Sequence, residues 1–476
     1  MKAPRRFAKN SLAGFVTYIS NHLLSLLILS LLGRYLGPEG YGQYYYIYAF
    51  IMLITIGSDM GLRTIVIREI AKCKDNAGNI IGSALLLKLF LSLFTAVVFL
   101  VFAGIAVDAD LHRAFFFALL AGITMTNTDV FIWVCRGYEK MEYETLFVFF
   151  TRTIQLFLVL WGINQKYDVE YFFVALLMSN LLRIALLCPF VLKKFSKPVF
   201  TANFQLWKTL LMQSAPLGFS AFLAITSRRV NIFILESLRP KDEVGCFAGS
   251  FAVTSALVFI PSVFMISAFP ILSRMVKDSS ESFESSLRMS FKYLFILSLP
   301  IVAVLFAFAD RIISLIFGPA FSGSALVLQI LCLSIPFRFF NVFCKYVLSS
   351  MNLQKIEFGG SAIGLSISCV VGYLVILRFG FLGAAVTLLF SEILMFLFKH
   401  VVLSRHVSTK NFIRVLLRPL LGLMIMSMVI YFFIDFSALL SLFLSLLVYP
   451  LSLYLLKSFT REEIDFFRRA VYSHRT

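Results

Sequence analysis

The sequence predicts an all-α protein that crosses a membrane many times, and three observations carry that prediction. The 476 residues are 60% hydrophobic with a mean hydropathy of +0.89, while only 14% are charged, values that exclude an ordinary soluble domain. Apolar runs of about 20 residues, enough to span a hydrocarbon core of ~30 Å, recur along nearly the whole chain. The charges lie mostly between these runs and are predominantly basic, 43 Lys and Arg against 25 Asp and Glu, for a net charge of +18. Placed between apolar runs, that surplus is explained by positively charged cytosolic loops, and no nucleic-acid partner is expected.

Roughly 14 transmembrane helices are read at residues 11–34, 42–62, 79–106, 112–135, 144–163, 171–192, 209–236, 244–273, 289–317, 322–349, 356–378, 380–402, 412–434 and 437–457. With the N-terminus in the cytosol, the cytosolic segments collect 29 of the 43 bases. The opposite face collects seven, namely Arg34, Arg113, Lys166, Arg239, Lys241, Arg311 and Arg378. That bias places both termini in the cytosol. Residues 1–10 are basic but no small-residue cleavage site follows the first run, so no cleavable signal peptide is predicted.

The first run carries Asn21, His22 and Ser25 halfway along, where His22 is expected to make a packed polar contact. Gly37-Pro38 and Gly40 then break the helix, and Tyr41 to Tyr48 place five tyrosines at the start of the next. Tyrosines at a helix mouth are expected at the membrane interface, where the ring is shielded and the hydroxyl meets water. The second run leaves through Arg63, Arg68, Lys72 and Lys74. Outer connections are short, the longest near Glu236 to Glu243; cytosolic links are longer, notably Lys193 to Lys208 and Val402 to Asn411.

These links divide the chain into an N-terminal six-helix bundle at 1–198, a cytosolic linker at 199–206 and a C-terminal six-helix bundle at 207–404. Accessory helices at 405–457 and a tail at 458–476 follow. The bundles read as copies: Tyr41-Gly42-Gln43-Tyr44 leading to Arg68 is echoed by Val244-Gly245-Cys246-Phe247 leading to Arg274. An even number of helices gives both copies one orientation, so the axis relating them runs along the membrane normal and a binding site is expected at their interface near the midplane. In the tail, Thr460-Arg461-Glu462-Glu463 is a capping-box pattern. Ile464, Phe467 and Val471 with the surrounding arginines then predict a short amphipathic helix on the anionic leaflet.

Several stretches together resemble the bacterial polysaccharide flippase family, the lipid-linked oligosaccharide exporters of the superfamily that also holds multidrug antiporters and the lipid II flippase. They are LGPEGYG at Leu36–Gly42 with the GLR…REIA exit at Gly61–Ala71, RGYEKMEYE at Arg136–Glu144, GCFAGSF…PSVFMISAFPILSRM at Gly245–Met275 and FGFLGAAVTLLFSE at Phe379–Glu392. The resemblance covers about residues 5–404 and is specific for the family, not for a sugar. It implies two pseudo-symmetric six-helix bundles forming a V around a central cleft, with two C-terminal helices beside them. It implies a polyprenyl-pyrophosphate-linked oligosaccharide as substrate, surface polysaccharide such as O-antigen as product, and the bacterial inner membrane as location. Membrane lipids, a coupling cation (H+ or Na+) and a polysaccharide polymerase are the other partners it implies.

The residues themselves supply a candidate site. Bases inside the proposed spans are Lys88, Arg152, Arg183, Arg228, Arg229, Arg338 and Lys345. Each costs ~2.5–3.5 kcal/mol at the centre of a span on insertion scales, so each should face a cavity or a partner. Ser334, Arg338, Asn341 and Lys345 follow at helical spacings that align them on one face. Ser179 and Asn180 accompany Arg183; Ser227 and Asn231 accompany Arg228 and Arg229. Opposed to these are only Asp59, Asp129 and Glu392 well inside spans. The plainer account, in which each base is paired with an acid, therefore leaves four bases over, and such a surplus wants an anion. Arg152, Arg183, Arg228, Arg229, Arg338, Asn341 and Lys345 are the candidate substrate-binding residues. Asp129 and Glu392 are the candidates for ion coupling, and Asp59 is expected to pair with Lys88.

Seven scattered cysteines without CxxC spacing, and five histidines without ligand spacing, predict neither a disulfide framework nor a metal site. No cofactor is expected. The alternatives are a multidrug or cation antiporter of the same fold, whose cavity should be acidic, and a membrane polymerase or ligase, which needs a sizeable outer catalytic loop.

Overall fold

The computed structural model describes residues 2–106, 108–201, 203–278, 280–351, 353–407 and 412–459. Its regular structure is helical throughout. In chain order the α-helices are α1 (Lys2–Asp59), α2 (Leu62–Lys72), α3 (Ala77–Ala106), α4 (His112–Gly137), α5 (Met141–Asn164), α6 (Val169–Lys194), α7 (Phe204–Leu238) and α8 (Lys241–Ala256). They continue as α9 (Phe259–Asp278), α10 (Ser280–Ala307), α11 (Ala309–Phe317), α12 (Ser324–Cys332), α13 (Ile335–Ser350), α14 (Gln354–Leu403), α15 (Phe412–Phe433) and α16 (Ala438–Leu455). The tail helix expected after Thr460 lies outside the described residues.

Among the described residues, eleven helices are long and apolar enough to cross a membrane, or twelve when the bent pair α12–α13 counts as one span. The protein is therefore a multi-pass membrane protein. Two of the eleven, Gly14–Asp59 and Gln354–Leu403, are 46 and 50 residues long, roughly twice the length a bilayer requires. Each is kinked near its middle at a glycine with positive φ, Gly37 (φ 67°) and Gly380 (φ 56°). The count of fourteen arises when each kinked helix is taken as two spans; length and composition alone give eleven or twelve.

The two kinks are built differently. At Gly37 a side chain would meet nothing within 4 Å, so conformation is what requires glycine there, with Pro38 supplying the first residue of the new helix. At Gly380 a Cβ would fall 2.2 Å from Glu243 Oε2, and that carboxylate instead accepts the freed backbone N–H of Phe381 at 2.9 Å. Glu243 thus caps the second segment of α14 from the first turn of α8.

Breaks also appear where the sequence reading has single runs. The stretch at 244–273 divides into α8 and α9, that at 289–317 into α10 and α11, and that at 322–349 into α12 and α13, the last with a 46° bend.

The tyrosines require a correction. Tyr41, Tyr44, Tyr45 and Tyr46 are buried at 0–3% exposure, not displayed at an interface. The helix mouth they occupy is where early and late parts of the chain pack together. Tyr41 lies 5.5 Å from Phe317 and 5.8 Å from Phe321, Tyr44 stacks on Phe173 at 4.8 Å, and Tyr45 meets Phe251 edge-on at 6.5 Å. Aromatic pairing, not hydration, is what the cluster provides. Below it a single core runs from α1 through α8, α10 and α13, and a smaller one joins α2, α3 and the end of α4. The pair α15–α16 packs on α10, where Tyr449 donates to the Ile296 carbonyl at 3.0 Å.

Candidate functional site

The polar side chains of the interior gather in two groups, one on helices before the linker and one after it. The first is built by α1, α3, α4, α5 and α6. Arg152 of α5 donates from Nε to Asn21 Oδ1 of α1 at 2.9 Å and from Nη1 to Gln155 Oε1 at 2.6 Å. Arg183 of α6 is buried and donates from Nη2 to the Met125 carbonyl at 3.2 Å and to Asp129 Oδ1 at 3.4 Å. Its Nε has no acceptor. Lys88 of α3, 1% exposed, pairs with Asp59 at 3.4 Å, as expected, and lies 3.9 Å over the ring of Trp133.

The companions of Asp129 are otherwise engaged. Thr124 bonds to the Leu120 carbonyl at 2.9 Å and Thr128 to the Thr124 carbonyl at 2.6 Å. Asn127 donates to Ser92 Oγ at 3.0 Å and to the Ile123 carbonyl at 2.9 Å. The Asp129 carboxylate itself pairs with Arg183. His22 packs between Tyr18 and Phe259, with ring centroids 5.0 and 6.1 Å away.

The second group is denser. Glu392 of α14 is fully buried and accepts from Arg228 Nε of α7 at 2.9 Å and from Asn341 Nδ2 of α13 at 2.8 Å. Asn341 also reaches the Glu392 carbonyl at 3.0 Å. Arg338 lies one turn before Asn341, at 4% exposure. Its Nε is 3.8 Å from Glu392 Oε1, beyond hydrogen-bond reach, and its Nη2 donates to Ser255 Oγ at 3.3 Å. Both Nε and Nη1 of Arg338 lack acceptors. Arg229 sits 5.3 Å from the ring centres of Tyr45 and Phe251, and Arg338 lies 5.8 Å from that same Phe251. Two guanidinium groups therefore face one phenyl ring, whose π face attracts a nearby cation.

Along α13, Ser334 is buried and bonded to the Leu331 carbonyl, Arg338 and Asn341 are buried, and Lys345 is exposed. Phe340, on the other side, stacks on Phe291 at 4.3 Å, and Val347 is buried. Arg228 comes against Glu392 and Arg229 against Phe251, so both belong to the same group as Arg338.

One pair escapes the sequence reading. Lys399 is 1% exposed and pairs with Glu357 at 2.9 Å. Gly360 makes room for it, since a Cβ there would lie 2.6 Å from Lys399 Cε. A lysine at a helix end with an acid three residues before a glycine on the neighbouring helix was the available signal, but nothing local shows that the two segments fold back on each other.

Each of the three intramembrane acids thus has a base: Asp59 with Lys88, Asp129 with Arg183, and Glu392 with Arg228 and Arg338. Arg152, Arg229 and Lys345 have no acid within ion-pair distance among the described residues. Nor does any ion pair among those residues join the first group to the second. No cluster of three His, Cys, Asp or Glu side chains suited to a metal is found among the described residues.

Residues 7–276 match the model of the family described as polysaccharide biosynthesis protein, and residues 216–374 match the MatE model. The chain is similar to the capsular polysaccharide biosynthesis protein CapF of Staphylococcus aureus, 22% identical over 392 residues that cover 79% of this chain and 94% of that protein. It is similar to a putative O-antigen transporter of Shigella flexneri, 24% identical over 414 residues, 80% of this chain and 93% of that one. Among solved structures, the lipid II flippase MurJ in an inward closed conformation superposes with a TM-score of 0.73 at 14% identity, covering 94% of this chain and 98% of MurJ. At that identity the likeness concerns the fold.

Proposed function

The chain belongs to the polysaccharide biosynthesis protein family, and from that premise we propose that it is a flippase carrying a polyprenyl-pyrophosphate-linked oligosaccharide from the cytosolic to the outer leaflet. One observation carries the reading. In an apolar interior, Nε and Nη1 of Arg338, Nη1 of Arg229 and Nε of Arg183 have no acceptor. A buried donor without a partner costs ~1–3 kcal/mol, more when charged. A diphosphate supplies several acceptor oxygens in the geometry that guanidinium forks match. Arg152, Arg183, Arg228, Arg229, Arg338, Asn341 and Lys345 are the proposed binding residues.

Transport would follow from rocking residues 1–198 against residues 207–404, with the linker at 199–206 between them and the accessory helices at 405–457 alongside. The anion favours the occluded state because two positively charged walls approach each other only with it between them. The lipid tail stays in the bilayer while the sugar crosses in a wet cleft, which spares its hydroxyls an unpaired passage through hydrocarbon. The inner membrane as location, cytosolic termini, a coupling cation and a downstream polymerase belong to the same proposal. The relatives' names, capsule in one case and O-antigen in the other, support a surface polysaccharide as the end product.

The match of residues 216–374 to the MatE model favours a multidrug or cation antiporter as a second reading. Such a protein needs free acids for cationic ligands, whereas Asp59, Asp129 and Glu392 are each taken by a base. A polymerase or ligase has little room for an outer catalytic loop where only residues 239–240 separate α7 from α8.

The test is surface polysaccharide in a deletion strain complemented with Arg183→Ala, Arg338→Ala and the double variant, normalised to protein in the membrane. Export is expected to be lost, with Arg→Lys rescuing in part because the fork is lost. Full complementation by the double variant would overturn the proposal.

A further inference from the structure

Glu392 looks out of place in a site for an anion, and its contacts show what it can do there. It is fully buried and held on both oxygens, Oε1 by Arg228 at 2.9 Å and Oε2 by Asn341 at 2.8 Å, while the same Asn341 amide reaches the Glu392 carbonyl. Those contacts tie it to two other helices, α7 and α13. They also divide the arginines. Arg228 is satisfied by Glu392; Arg338 stands 3.8 Å from it with two N–H groups lacking an acceptor, and Arg229 rests on Tyr45 and Phe251 with Nη1 lacking one. Three guanidinium groups less one carboxylate leave this group with a net charge of +2, carried by the two arginines that face Phe251. Lys345, the next base along α13, lies two turns further on and is exposed, so it stands apart from this buried group.

We propose that Glu392 is a specificity-determining residue: it stays in place on loading and sets the charge of the arginine group to match a diphosphate esterified at both ends. This rests on the flippase reading above. A diphosphate diester, the sugar-loaded carrier, bears about two negative charges, one for each open guanidinium. A bare lipid diphosphate keeps a terminal phosphate that ionises again near pH 6 and approaches three. In a desolvated site an extra charge without a counter-ion is heavily disfavoured. The loaded carrier is thereby selected and the bare carrier rejected at the phosphates, without any contact to the sugar.

The experiment uses the full chain in nanodiscs and two probes with the same short lipid, farnesyl diphosphate and farnesyl-diphospho-N-acetylglucosamine, with affinities measured by calorimetry. The native chain is expected to prefer the diester. Glu392→Gln should shift the ratio of affinities toward bare farnesyl diphosphate by about tenfold. Arg229→Gln, which leaves every contact of Glu392 intact and so keeps the test available if Glu392→Gln does not fold, should shift the ratio the other way. Arg338→Ala should weaken both probes. If both probes bind and neither substitution moves the ratio, the inference is overturned while the flippase reading stands. If the native chain binds neither probe, both fall.

Discussion

Gly42 and Gly245 each press against the backbone that begins the other's helix. A Cβ on Gly42 would lie 2.1 Å from the Lys241 carbonyl oxygen, and one on Gly245 would lie 1.9 Å from that of Pro38. Lys241 precedes Gly245 by four residues and Pro38 precedes Gly42 by four, so the contact is reciprocal, as a two-fold relation between repeated segments requires. Around it, Arg34 donates to the carbonyls of Leu315 and Ile316, Ser30 to that of Ile316, and Lys241 pairs with Asp108.

A first prediction follows from that geometry. No side chain fits where a Cβ would meet a backbone oxygen at about 2 Å, so Gly42→Ala or Gly245→Ala must part the two helices at this end. Cysteines at Asp108 and Lys241, in a chain without the native seven, should be bridged efficiently by a short bis-thiol reagent in the native glycine background and poorly in either alanine variant. Undiminished bridging would show that the contact does not hold this end closed.

The topology is open to direct labelling. Cysteines at Glu39, Asp110, Asp168 and Asp242 should react with an impermeant thiol reagent applied outside the cell. Protection at Asp168 or Asp242 would be incompatible with the span order proposed.

On α13 the expected pattern is a gradient. Lys345→Cys should react fastest with a small water-soluble reagent, Asn341→Cys and Arg338→Cys more slowly, and Phe340→Cys and Val347→Cys not at all, because the first three share one polar face while Phe340 stacks on Phe291 and Val347 lies in the apolar core. Equal rates at Lys345 and Val347 would remove the basis for an aqueous face.

The Lys88–Asp59 pair makes a thermodynamic prediction. Asp59→Leu leaves Lys88 charged at 1% exposure and should destabilise the protein by about 3–5 kcal/mol, the cost of an uncompensated buried charge. Adding Lys88→Met should recover most of the loss. Thermal unfolding in detergent reads both, and a double variant no more stable than Asp59→Leu would mean that Lys88 does more than balance Asp59.

Much of this architecture was legible because membrane insertion writes strong local rules. Gly37-Pro38 announces the kink of α1, and the apolar runs announce nearly every helix. The glycine motif repeated at Tyr41-Gly42 and Val244-Gly245 is likewise visible in the chain, and the structure adds that the two copies touch. The site was legible in residue type only. That Arg338 and Asn341 share a face follows from spacing; that Asn341 grips Glu392, 51 residues later, does not. The tyrosines misled because a ring with a hydroxyl suits an interface and a helix junction equally well, and the sequence does not say that Phe317 and Phe321 will cover Tyr41.

By itself, then, the sequence determined that the chain is helical, crosses a membrane repeatedly and carries more bases than acids within its spans. Hydropathy, glycine conformation and charge act on a residue and its near neighbours, so the chain states them outright. Only the tertiary structure decided which acid meets which base. Asp129 takes Arg183, Glu392 takes Arg228 and stands just out of reach of Arg338, and Lys399 finds Glu357. Helix packing sets those partnerships, and in a low-dielectric interior a difference of about 1 Å between partners separates a guanidinium bonded to its carboxylate from one with two N–H groups lacking an acceptor.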